Sequence, residues 1–284
     1  MNNFCIITNI DKDCEYKTTK LIQEYLISKG KRCLISTERN TVGTNDEDID
    51  VSWIKDDTDC VIVLGGDGTI IRAATDLYSK EIPLLGINLG TLGFLAEIEK
   101  QDIIPALDSL LEEDIEIQKR MMLYGKISRN NQTTYEDYAL NDIVISRSGF
   151  SRIICVSVYV NDILVDTYHG DGVIIATPTG STGYNLSAGG PVAAPSSNVL
   201  MITPICPHTM SQRSILVSSD DEITVLIDKS KKTQKEEAIA TFDGRMAMEL
   251  KAGDEIRIKR AEKVTKLIKI NQKSFYEILR SKLK

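Results

Sequence analysis

Four apolar residues, Val61 to Leu64, run directly into Gly65-Gly66-Asp67-Gly68-Thr69 and then into the helix-like pattern Ile70-Ile71-Arg72-Ala73-Ala74. A strand-length apolar run, a glycine turn and a helix in immediate succession form the repeating unit of a parallel α/β sheet with right-handed crossovers. Three glycines in one turn let another group come close to the backbone. In open parallel sheets, ligands bind just beyond the carboxyl ends of the strands, which is where this turn falls.

The flanking chain supports that reading. Phe4 to Thr8 reads as a strand, and Tyr16 to Lys29 as a helix with Leu21, Ile22, Tyr25 and Leu26 on one face and Gly30 as its stop. Arg32 to Thr37 reads as a second strand. Thr41 to Asp59, with seven carboxylates between Asp46 and Asp59, reads as a mobile acidic connection. Cys60 to Leu64 is then a strand, Ile70 to Tyr78 a helix, Pro83 to Asn88 a strand and Asp102 to Glu112 a helix.

Beyond that point the period changes to two. Val156, Val158 and Val160 alternate with Ser157 and Tyr159, and Ile223, Val225 and Ile227 repeat the pattern, as do Ile256 and Ile258. Ala238 to Phe242 and Arg245 to Leu250 flank Asp243-Gly244, a strong hairpin signal. Ser274 to Leu283 returns to helical spacing. The expected fold is an α/β domain followed by a β-rich, mostly antiparallel one.

Charge narrows the partners. The net charge is -7 with a pI near 5.1, and no stripe of Lys and Arg appears before the C-terminal quarter, which argues against nucleic acid. Lys229, Lys231, Lys232 and Lys235 read as a solvated loop. No apolar run approaches the roughly 20 residues of a membrane span, and the N-terminus lacks a basic region with a cleavage site, so the expectation is a cytoplasmic protein with no membrane partner. The six cysteines are scattered without a C-x-x-C pair and there are two histidines, so neither a structural metal site nor a disulfide framework is expected.

Three segments carry chemistry. The Gly65 to Thr69 turn matches neither a Walker loop nor G-x-G-x-x-G, yet glycine N-H groups at a helix start favour anions. A carboxylate there would repel phosphate unless a cation or a proton transfer gives it a role; the alternative is that Asp67 caps the helix. Pro83 to Glu97 adds Gly90 and Gly93 after a strand, with Phe94 and Leu95 either core or the wall of a base pocket. His169 to Pro191 is rich in small and hydroxyl residues around Tyr184, which suits a polar pocket with a ring for stacking.

Together GGDGT at 65 to 69, NLGTLGFL at 88 to 95, Asn141-Asp142 and GDGVIIATPTGSTGYNLSAGGP at 170 to 191 resemble the NAD kinase family, in family order across most of the chain. GGDGT is shared with lipid, sphingosine and sugar kinases, but such kinases leave TPTGSTGY unexplained. A non-catalytic NAD sensor is the rival outside enzymes.

The resemblance implies a Rossmann-like ATP-binding domain over 1-100 with 271-284, and a β-rich, β-sandwich-like NAD-binding domain over 101-270. The C-terminal helix would return to the first domain. It implies transfer of the γ-phosphoryl group of ATP to the 2'-hydroxyl of the adenosine ribose of NAD, with polyphosphate left open as an alternative donor. Gly65, Gly66, Gly68 and Thr69 would receive phosphates, and Asp67 would be the base. Asp67, Gly68, Phe94, Asn141, Asp142, Asp171, Thr182, Tyr184 and Ser187 would hold NAD. A divalent cation, Mg2+, would be bound through the phosphates, and the assembly would be a homodimer or homotetramer. The chain departs from the family pattern at Asp142, where Glu is usual, and at His169, where Arg is common; His169 is a further candidate for the site.

Overall fold

Two of the parallel strands, Cys60–Gly65 and Leu84–Asn88, are buried along their whole length, as expected where both faces of a sheet are covered. The structure, a computed structural model, describes residues 1–35, 51–90, 93–96, 98–148, 153–209, 212–228, 238–245, 247–270 and 273–282. The first part of the acidic connection, the loop of four lysines, Ser36, Thr37 and Leu283 lie outside the described residues. Contacts divide the chain into two units, Met1–Arg120 with Val264–Lys284, and Met121–Lys263.

The first unit runs β1 (Asn3–Thr8), α1 (Lys17–Ser28), β2 (Arg32–Ile35), β3 (Cys60–Gly65), α2 (Asp67–Asp76), β4 (Leu84–Asn88), β5 (Ile98–Glu99), α3 (Ile103–Leu111) and β6 (Glu116–Arg120). Its sheet has the order β2-β1-β3-β4, with β5 also on β4, and all these pairs are parallel. On one face Phe4, Ile6, Ile62, Leu64, Leu85 and Ile87 pack against Ile22 and Leu26 of α1 and Ile103, Ala106, Leu107 and Leu110 of α3. Each buried Leu, Ile or Phe side chain among them contributes about 1.5–3 kcal/mol relative to exposure.

Here the unit boundaries differ from the expected 100 and 270. The apolar face of α3 completes this core, so the helix stays with the first unit. The residues just after 263 also belong here: β19 (Thr265–Lys269) joins the sheet between β4 and β6. The helix α5 (Phe275–Lys282) follows, and Phe275 places its ring 6.3 Å from that of Phe94. The described part of the acidic connection is also anchored. Ile54 is buried, and the Asp59 carboxylate accepts the N-H groups of Asn2 and Asn3.

The second unit is all antiparallel. Its strands are β7 (Leu123–Arg129), β8 (Gln132–Ala139), β9 (Asp142–Arg147), β10 (Ile154–Val160), β11 (Ile163–Gly170), β12 (Gly172–Ala176), β13 (Val199–Ile205), β14 (Ile215–Ser218), β15 (Ile223–Ile227), β16 (Ala238–Phe242), β17 (Met248–Leu250) and β18 (Glu255–Arg260). They form two sheets, β11-β10-β15-β18-β7-β8 and β14-β13-β12-β9-β16-β17. Alternate residues of both sheets, among them Val156, Val225 and Ile256 on one and Ile143, Ile175 and Phe242 on the other, share one core.

The second sheet buries its other face as well. Val144, Ile174, Ala176 and Met201 pack beneath Ala188 and Ala193, so the segment from Thr179 through the short helix α4 (Tyr184–Ser187) is laid over the sheet. The hairpin at Asp243-Gly244 forms with both residues at positive φ, 52° and 69°, as a two-residue turn of this hand requires.

Candidate active site

The first unit builds its site around the turn after β3. Helix α2 begins at Asp67, earlier than the expected Ile70, because Gly66 takes the N-cap position with an extended backbone (φ -112°, ψ -171°). Asp67 makes no capping hydrogen bond to its own helix. The carboxylate instead reaches across to the loop after β4: Phe94 N-H donates to Oδ2 at 2.7 Å, while Leu95 and Ala96 N-H donate to Oδ1 at 3.0 and 3.3 Å. A Cβ at Gly93 would overlap the Asp67 carboxylate, so any side chain there would displace either that carboxylate or the loop.

A carboxylate has about four lone-pair sites, two on each oxygen. Two donors occupy Oδ1 and one occupies Oδ2 among the described residues, which leaves one acceptor position on Oδ2. The N-H groups of Gly66, Asp67 and Gly68 meet no acceptor among the described residues, as expected at a helix start. Thr69 differs from them. Its N-H bonds to Gly66 O at 3.0 Å and its hydroxyl is packed against Gly65, so it shapes the turn rather than facing outward. Phe94 is half-buried between Phe275 and the ammonium of Lys282, 5.1 Å from its ring centre.

The second unit holds a cavity of about 340 Å³ on the outer face of the second sheet, lined by Asn141, Asp142, Val144, Ser146, Tyr184, Thr241, Asp243 and Gly244. Three of the expected residues, Asn141, Asp142 and Tyr184, meet there. The Asn141 backbone is fixed by Thr177 N-H, which donates to its carbonyl at 2.8 Å, and by Gly180, where any Cβ would overlap that carbonyl. Its side-chain Oδ1 is buried without a hydrogen-bond partner. A buried acceptor left unpaired is costly unless a ligand supplies the donor.

Asp243 was read from sequence only as a turn residue, and the structure gives it a larger part. Its carboxylate accepts the N-H groups of Leu140 (2.6 Å), Asn141 (2.7 Å) and Asp142 (3.1 Å), so the hairpin turn clamps the Asn141-Asp142 corner. No local signal marks this, because the partners are about a hundred residues away in sequence.

Thr182, Ser187, Asp171 and His169 stand outside the lining of this cavity. Thr182 Oγ1 donates to Thr179 O at 3.4 Å, and Ser187 is exposed at the end of α4. Asp171 is paired with Arg147 Nε at 2.7 Å. His169 is exposed, with its Nε2 3.8 Å from Cys155 Sγ.

Burial pushes the Asp142 carboxyl up to about 7, with the Asp243 charge adding to it. Burial also lifts Asp243, to about 6, against the three N-H bonds and the nearby Arg245. The folded protein therefore keeps protons that an unfolded chain releases near pH 3.9. That contribution to stability is complete below about pH 4 and is lost as pH rises through about 6 to 7. Asp142→Asn should flatten the decline of Tm between about pH 4 and 7; melting curves of both proteins with an identical pH slope would contradict the assignment.

Two family models match the chain, the ATP-NAD kinase N-terminal domain over residues 5–115 and the ATP-NAD kinase C-terminal domain over 140–270. The chain is 50% identical over 284 residues to an NAD kinase of Lachnoclostridium phytofermentans, covering 99% of each protein. It is 42% identical over 296 residues to one of Lachnospira eligens, covering 100% of both. Among solved structures it resembles an NAD kinase from Archaeoglobus fulgidus in complex with ATP, with a TM-score of 0.75, 26% identity and coverage of 98% and 97%. It shares the fold of yeast NADH kinase complexed with NADH, with a TM-score of 0.86 at 23% identity, over 100% of this chain and 87% of that one.

Proposed function

The chain belongs to the ATP-NAD kinase family, and from that premise we propose how its residues divide the work. The reaction itself is the ATP-dependent phosphorylation of NAD to NADP. The 2'-oxygen of the adenosine ribose bonds to the γ-phosphorus, the bond from that phosphorus to the bridging oxygen breaks, and ADP leaves. Such a transfer asks for positioning and charge neutralisation more than for covalent help.

The observation that carries the assignment of roles is the Asp67 carboxylate, pinned by three N-H groups with one acceptor position left on Oδ2. That position would take the hydrogen bond of the 2'-hydroxyl and then its proton as the phosphoryl group arrives. The N-H groups of Gly66 and Gly68 would donate to phosphate oxygens at the positive end of α2. Gly65 and Thr69 hold the turn in shape for them.

In the second unit, Asn141 Oδ1 would accept from the adenine amino group and Tyr184, 47% exposed, would present its ring for stacking. Asp142, one methylene shorter than glutamate, lies in the same cavity and would face the ribose. The parts of Phe94, Asp171, Thr182, Ser187 and His169 in holding the dinucleotide rest on the resemblance.

Mg2+ usually binds through substrate phosphates and one or two carboxylates. Among the described residues no group of three or more His, Cys, Asp or Glu could hold a metal ion. A cation carried by the triphosphate fits this donor set. It would neutralise charge on the β- and γ-phosphates.

Incubating the purified protein with NAD, ATP and magnesium should produce NADP at turnover rates on the order of 1–100 per second, the usual range for kinases. Substituting polyphosphate for ATP and NADH for NAD in the same assay defines the donor and acceptor range. Binding of NAD with no NADP from either donor would replace the kinase reading with that of a sensor.

A further inference from the structure

The first unit carries a cation that the roles above leave unused. Lys12 lies in the loop that follows β1, at the same sheet edge as the turn after β3. A Cβ added to Gly66 would stand 2.9 Å from Lys12 Nζ, so the ammonium lies directly over the N-cap residue of α2. The loop is tied to that turn. Asn9 N-H donates to Leu64 O at 2.9 Å, Lys12 N-H donates to Asn9 O at 3.1 Å, and Asn9 Nδ2 reaches Thr69 Oγ1 at 3.5 Å.

The carboxylates nearest in the chain do not neutralise Lys12. Asp13 is buried and turned toward α1, where it accepts the N-H groups of Thr18 and Thr19 at 2.8 Å each and the Thr19 hydroxyl at 2.7 Å. Asp11 is exposed, and Asp67 turns its carboxylate to the N-H groups of Phe94, Leu95 and Ala96. Among the described residues no carboxylate forms an ion pair with Lys12.

A second group near the start of α2 also lacks a partner. Asn88 is 2% exposed; its Oδ1 accepts Gly90 N-H at 2.9 Å, but its Nδ2 is buried without an acceptor. Side chains alternate along a strand. Gly86, two residues earlier on β4, faces Ile70 of α2, and Gly65, the register partner of Asn88, faces Thr69. The Asn88 amide therefore lies on the α2 face, level with the first turn of that helix.

We propose that Lys12 is a phosphate-binding residue of the kinase site, its ammonium receiving the triphosphate of ATP over Gly66 while the Asn88 amide donates to the same anion. A lysine ammonium is a compact point charge with three donors, suited to an oxygen cluster that moves through a reaction. It adds a full charge where glycine N-H groups offer only partial ones. The inference rests on the kinase reading and extends it to a residue outside all of the glycine motifs.

The test is steady-state NADP synthesis by wild type, Lys12→Met and Lys12→Arg, varying ATP at saturating NAD and the reverse. In Lys12→Met, kcat/KM for ATP should fall about 10- to 100-fold while KM for NAD stays within about two-fold. Arginine should restore most of the loss, and Tm should not move because the side chain is exposed. An unchanged KM and kcat for ATP in Lys12→Met, or equal losses toward both substrates, overturns the proposal. If the wild type makes no NADP, the kinase reading fails instead. Calorimetric titration of inorganic tripolyphosphate into wild type and Lys12→Met then decides Lys12 by itself, with equal affinities overturning it.

Discussion

Asp67→Asn should lower kcat by about 10²- to 10⁴-fold, the usual contribution of a general base, while leaving the affinity for NAD within about three-fold. The amide is nearly isosteric but cannot take the hydroxyl proton as attack proceeds. It also replaces one acceptor oxygen by an NH2 group. If Oδ1 keeps Leu95 and Ala96, the N-H of Phe94 faces a donor, and the loop loses one charge-assisted bond of about 1.5–3 kcal/mol. A lower Tm is therefore expected alongside the lost turnover. The two effects separate because the loss of kcat persists at temperatures where the variant is fully folded. Asp67→Asn with wild-type kcat would remove Asp67 from the chemistry.

Gly93→Ala should be nearly as damaging, although residue 93 has no side chain to offer a substrate. The new methyl would occupy the place of the Asp67 carboxylate, so either that side chain rotates or the Phe94 to Ala96 segment moves away. Either route breaks hydrogen bonds to a charged acceptor, at about 2–4 kcal/mol of stability, and misplaces Oδ2. We expect kcat to fall about 100-fold or more, since an ångström of misplacement is enough for that. A double-mutant cycle makes the mechanism specific. In an Asp67→Asn background Gly93→Ala should cost little further kcat, because the group it displaces has already lost its function. Full additivity of the two losses in kcat would show that Gly93 acts elsewhere.

The strand, turn and helix around Asp67 were legible because the cue is local: apolar residues run to Leu64 and glycines follow. The start of α2 was not, because Gly66 caps by backbone geometry and Asp, Gly and Thr are weak helix formers in isolation. The unit boundary was missed for a related reason. An apolar face such as that of Ile103, Ala106, Leu107 and Leu110 shows that α3 is packed, but not against which sheet.

Site residues followed the same division. Asn141, Asp142 and Tyr184 could be named from motif resemblance, and they do line one cavity. Asp243 looked like an ordinary hairpin residue, since its carboxylate acts on backbone N-H groups that only folding brings near. Lys12 had no signal beyond its position after the first strand. Thr69, inside the most recognisable motif, is buried with its N-H bonded to Gly66 O, a contact that the motif alone does not announce.

The most direct test of the account is a single-turnover experiment with enzyme in excess over NAD and ATP labelled at the γ-phosphate. The wild type should place the label on the 2'-position of NAD within one turnover. Asp67→Asn, with both substrates shown to be bound, should do so at least about 100-fold more slowly. Label transfer at equal rates in the two proteins, or no label reaching NAD in the wild type, would contradict it.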